Sequence, residues 1–131
     1  MNLNEMSFGR QVKYLRALLR SGKSLLTGYL ALFAFRHHLI MKHSPKYSLK
    51  PVLRWYLGQL VRTYITKYFN EAKTILENMV ETGLLEVKGS SDNHSYKEYH
   101  LNDTLYPALR DVLEEVFGKE YISGVISKAK Y

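Results

Sequence analysis

Residues 66 to 101 constrain the fold more than any other part of this chain, because a helical pattern there runs into a glycine stop and then a hairpin pattern. Over 66–82, Phe69, Ala72, Leu76, Met79 and Val80 recur on one face of a 3.6-residue period. Asn70, Lys73, Thr74 and Glu77 fall on the opposite face. Gly83 stands where a helix ends on a residue that tolerates positive φ, and the strand-like run 84–88 follows at once. Residues 89–95 are Gly, Ser, Ser, Asp, Asn, His and Ser, a turn-rich stretch with little to bury. Strand-like alternation resumes over 96–101. The expected unit is a helix feeding a β-hairpin with a long polar tip.

The flanking segments read as helical. Residues 4–20 form an amphipathic pattern, with Phe8, Val12, Leu15 and Leu19 on one side and Arg10, Lys13, Arg16 and Arg20 on another. That apolar face needs cover from this domain, a second subunit or a membrane surface. A break at Ser21, Gly22, Lys23 and Ser24 precedes a second helix over 25–42. Its apolar run stops at Arg36, far short of the ~20 residues that cross a bilayer, so it reads as the central buried helix. Pro45 ends it, and residues 46–48 can form a short strand against the hairpin. Ser48 caps a further helix with Pro51 in its first turn and Leu53, Tyr56, Leu57, Leu60, Val61 and Tyr64 on one face. Beyond the hairpin, Asn102 or Asp103 starts a helix through Leu105, Leu109, Val112, Leu113, Val116 and Phe117, stopped by Gly118. Its outer side is acidic, with Asp111, Glu114 and Glu115, and is expected to turn outward or toward a partner. Tyr121, Ile122, Val125 and Ile126 mark a last short helix.

A chain of 131 residues holds one domain with a core of its own, and it has no cysteine for disulfides or a thiolate zinc site. No signal-peptide pattern opens it, and a cytoplasmic setting is expected. The net charge of +7 is unevenly distributed. Up to Lys67 there are 12 Lys and Arg against one acid, a surplus of +11, whereas Tyr68 onward has 7 against 11, or −4. A basic first part of this kind fits a polyanion partner bound with strong salt dependence.

The helix, glycine, apolar pair and hairpin of residues 66–101 resemble the winged helix-turn-helix family, and the likeness extends over residues 24–117. The resemblance implies a mostly α fold with a small β-hairpin: a winged helix-turn-helix with additional N- and C-terminal helices. In this reading 1–131 is a single domain. Residues 1–23 are an N-terminal amphipathic helix and 24–101 the core, with the recognition helix at 66–82 and the wing at 84–101. Residues 102–131 supply the C-terminal helices. The resemblance places base reading on Asn70, Lys73 and Thr74, with Asn70 suited to adenine and Lys73 to guanine. Phosphate contacts fall to Lys46, Lys50, Arg54, Lys67, Lys88, His94 and Lys97. It also implies duplex DNA as partner and a homodimer through the N- and C-terminal helices. Glu77 departs from the pattern, since a carboxylate near phosphates must accept from a cytosine amine, pair with a lysine or stay clear. The long segment 49–65 leaves the start of the reading helix open between Thr66 and Asn70.

Other chemistries are weakly supported. Gly22-Lys23-Ser24 has the end of a phosphate-binding loop, but that motif's first glycine falls on Ala17, inside a helical pattern rather than after a buried strand. His37, His38 and His43 are spaced by one and five, so no pair has the i, i+4 arrangement of helical metal ligands, and surface or half-buried histidine is expected. His94 and His100 need only exposure or a phosphate contact. Glu114 and Glu115 are adjacent on a helix and point apart. The expectation is therefore a DNA-binding regulator with no enzymatic activity, no metal and no cofactor. The rivals are a winged domain used for protein contacts within a larger complex, a peripheral membrane protein anchored by residues 4–20, and RNA binding as a variant.

Overall fold

A computed structural model describes residues 2–20, 25–43, 71–88 and 98–129. These are mostly helical with a small antiparallel sheet. A single 3-10 turn, Leu3–Glu5, precedes α1 (Phe8–Arg20) and α2 (Leu25–His43). Helical residues 71–81 form the described part of α3. Strands β1 (Leu85–Lys88) and β2 (Glu98–Leu101) follow, then a second 3-10 turn, Asp103–Leu105, and the helices α4 (Tyr106–Phe117) and α5 (Lys119–Ala129).

Helix α4 forms the spine. Leu105, Ala108, Leu109, Val112 and Leu113 repeat at i, i+3, i+4, i+7 and i+8, and all five are fully buried. Helix α1 lies along α4, while α5 packs on both α4 and α2. Helix α2 is enclosed on several sides: Leu26, Leu30, Ala31, Ala34, Phe35, His37 and Leu39 are all buried. Phe35 stacks flat on Tyr106 at a centroid distance of 5.1 Å. Each large apolar side chain removed from water in this way contributes roughly 1.5–3 kcal/mol.

The first helix begins later than its periodicity predicts. Residues 3–5 are a separate turn, and the Ser7 hydroxyl accepts from the Arg10 N–H at 3.4 Å, as an N-cap does. The apolar side of α1 is turned inward through Val12 and Leu15, leaving Phe8 exposed at the helix start. On the opposite side Arg16 makes two 2.8 Å hydrogen bonds to Glu115 of α4, and Arg20 lies 3.8 Å from the same carboxylate. The acidic side of α4 is thus partly engaged within the chain: Glu115 by α1, and Glu114 by Arg110 one turn earlier. Gly118, at φ +96°, separates α4 from α5 by one residue and lets Ile122 reach the core.

The strands pair as Leu85 with Leu101, Glu86 with His100, Val87 with Tyr99 and Lys88 with Glu98. Successive residues alternate faces, so Val87 and Tyr99 share one side of the ribbon and Glu86 and His100 the other. Strand β2 packs against α2.

Candidate nucleic-acid interface

Helix α3 keeps Ala72, Leu76 and Met79 in the core, which turns Lys73, Thr74, Glu77 and Asn78 to solvent. Of the three residues expected to read bases, Lys73 and Thr74 therefore lie together on this exposed strip, while Asn70 falls outside the described residues. The helix ends in hydrogen bonds from Thr82 N–H to Asn78 and from Gly83 N–H to Val80, with Gly83 at φ +87°. Two residues later the chain is in β1.

This helix-to-strand junction is held from both sides. Leu3 N–H donates to the Thr82 carbonyl at 2.8 Å, and the Asn4 side-chain amide donates to the Gly83 carbonyl at 3.1 Å. From the far end of the hairpin, Asn102 N–H donates to the Leu84 carbonyl at 3.0 Å. The Thr104 hydroxyl bonds to the Asn4 side-chain oxygen and so joins the two 3-10 turns. Gln11 of α1 donates to the Leu3 carbonyl at 2.9 Å, and Leu3 itself is buried. The junction of α3 with the ribbon is thereby held by two backbone–backbone bonds, Leu3 to Thr82 and Asn102 to Leu84, and by the side-chain bond from Asn4 to Gly83.

The strip is electrostatically mixed. Glu71, Glu77 and Glu81 against Lys73 leave a formal charge of −2 over residues 71–81. Glu77 faces β2, where burial first and then the nearby Glu77 carboxylate push the Tyr99 phenol up. Lys73 and Thr74 sit nearest the described start of α3, and Glu81 is displaced from Lys73 by about 12 Å along the helix axis. The expected phosphate contacts Lys46, Lys50, Arg54, Lys67, His94 and Lys97 lie outside the described residues, as do the short strand at 46–48 and the helix after Ser48. Lys88 is the last residue of β1, paired with Glu98.

His37 and His100 depart from the expected surface or half-buried placement, whereas His38 is half-buried as expected. His100 is buried on β2 and meets buried His37 of α2 edge to face, with ring centroids 5.2 Å apart. His37 follows Leu30 by seven residues and Ala34 by three, which places it on the inward stripe of α2. Periodicity alone could have found it; its polarity argued the other way. His38 stacks on Tyr106 and holds Nε2 at 3.1 Å from Asp103. Burial lowers its pKa despite Asp103, and Lys42 adds to the lowering. These residues, with Glu86, Leu101 and Asn102, line an open cleft of about 400 Å³ at the base of the ribbon. Among the described residues no group of three or more His, Cys, Asp or Glu is arranged to hold a metal ion, and no helix is long and apolar enough to cross a membrane. The buried inner face of α1 is not available to a bilayer in this arrangement.

No protein-family model, no curated protein and no solved structure matches the chain.

Proposed function

We propose that this chain is a winged helix-turn-helix protein that binds duplex DNA through α3 and the hairpin, as a homodimeric regulator of transcription. The observation that carries the reading is the exposed Lys73–Thr74 strip on a helix clamped at Gly83 to a two-stranded ribbon. In this reading Lys73 and Thr74, with Asn70, read base edges in the major groove. Lys46, Lys50, Arg54, Lys67, Lys88, His94 and Lys97 hold the phosphates. Helices α1 and α5 carry the dimer contact, with Phe8 and Tyr121 as their exposed anchors. Fluorescence anisotropy with random-sequence duplex DNA across a salt series tests the reading. The expected result is a steep fall in affinity with salt and enrichment of a roughly palindromic site on selection. Absence of binding at low salt would overturn it.

One observation favours a second reading, in which the winged domain contacts protein. The described part of α3 carries a formal −2 on the side that would face phosphates, and α4 adds exposed Asp111. Partner binding insensitive to salt, by a protein that purifies free of nucleic acid, would favour that alternative.

A further inference from the structure

We infer that α5 pairs with α5 of a second copy of this chain, the two helices crossing antiparallel about a two-fold axis at Gly124. The inference deepens the homodimer proposed above and rests on it, but not on what the ribbon binds.

Helix α5 packs on α4 and α2. Ile122 and Ala129 fall on the packed side and are buried, at 0% and 5% exposure. Four residues advance a helix by one turn and about 40°, so Glu120, Gly124 and Lys128 form a single ridge along the other side. Ile122 lies about 160° from Gly124 around the axis, which puts that ridge at the centre of the outward face. Glu120 and Lys128 are exposed, and neither takes part in a salt bridge among the described residues. Tyr121 flanks the ridge and is 55% exposed.

The charges of the ridge are complementary to their own image. Glu120 and Lys128 stand equally far before and after Gly124, so a two-fold axis at the glycine sets Glu120 of each copy against Lys128 of the other. A parallel pairing would bring Glu120 to Glu120, so the charges also fix the direction. The glycine fits the same contact. It is unfavourable inside a helix, and the packing of the chain does not call for it, since a Cβ at Gly124 would meet nothing within 4 Å. At a helix crossing, the missing side chain lets two backbones approach closely. Ridges of i, i+4 residues run together when two helices cross at about −50°, the commonest packing class. The exposed ring of Tyr121 then supplies apolar contact beside the crossing, inside a rim of opposite charges.

Sedimentation velocity of the full chain across a concentration series tests the pairing. Two crossed helices of this length bury less than the ~1,200 Å² at which standard interfaces begin, so a micromolar association is expected and is sought from ~1 to ~500 μM. Glu120→Lys and Lys128→Glu should each weaken the dimer at least about tenfold, because each sets two like-charge pairs across the axis. The variant carrying both changes restores the opposite pairs and should return to within about threefold of the parent. Gly124→Leu should also weaken the dimer at least about tenfold by holding the backbones apart. Its Cβ enters open space, so the far-ultraviolet circular dichroism of the monomer should be unchanged. Undiminished association in any of the three single variants, or a double variant no tighter than the single charge reversals, would overturn the pairing and leave the homodimer to other helices. A parent protein that stays monomeric to ~500 μM would overturn the pairing and the homodimer together. Duplex-DNA binding is decided separately, by the anisotropy series.

Discussion

The backbone N–H of Leu3 donates to the carbonyl of Thr82 at 2.8 Å, which ties the first described turn to the end of the helix that leads into the hairpin. Asn2 and Asn4 crowd the same place so closely that a Cβ on Gly83 would lie 2.5 Å from the Asn2 side-chain oxygen. The junction is therefore specified twice, by the left-handed backbone of Gly83 and by the side chains packed over it.

Gly83→Ala should lower stability by about 1–3 kcal/mol, since alanine is strained at φ +87° and displaces Asn2. Gly124→Ala, inside α5 with open space around it, should instead raise stability by about 0.5–1 kcal/mol. Urea denaturation of the two variants should give midpoints on opposite sides of the parent protein.

Lys73→Ala should lose preference among DNA sites by roughly 1–3 kcal/mol at a single base pair, and Glu77→Gln should tighten binding to all sequences. Selection followed by anisotropy on preferred and scrambled duplexes separates the two effects. An unchanged site preference in Lys73→Ala would remove base reading from this strip.

His38 is held neutral by burial, so its folded pKa lies below the ordinary value near 6.5. The unfolded chain then takes up the proton first. Stability from this group is complete above about pH 6.5 and is lost as pH falls through the lowered folded value. The urea midpoint of the parent protein should drop between pH ~7.5 and ~5.5, and His38→Gln should flatten part of that drop.

The Arg16–Glu115 pair is exposed and bidentate. The hydrogen bond from Arg16 holds the Glu115 carboxyl below the usual carboxylate range. A double-mutant cycle with Arg16→Ala and Glu115→Ala should give a small coupling that shrinks with added salt. The coupling should persist until acid protonates Glu115, and disappear as pH falls through its lowered value.

Much of this fold can be read from local pattern. Ala72, Leu76 and Met79 recur at helical spacing because one side of α3 is buried, and the stop at Gly83 follows from the need for positive φ. The same logic places Lys73 and Thr74 outward. Polarity misleads at His37 and His100, whose positions on α2 and β2 face inward although their chemistry suggests a surface. The clamp of Asn4 on Gly83 spans 79 residues, and no local pattern encodes a partnership at that distance. Asn2 and Asn4 look like ordinary turn residues until the tertiary contact is known.

The order of synthesis makes α1 wait for its packing partner. Residues 2–20 leave the ribosome well before α4, yet Arg16 meets Glu115 across 99 residues, and Asn4 meets Thr104 across 100. Until α4 has emerged, Val12 and Leu15 have no spine to cover them, and a nascent chain carries an uncovered apolar stripe flanked by four cations. That is a surface suited to a chaperone. A helix made later thus completes the burial of one made earlier, so α1 is covered late in synthesis.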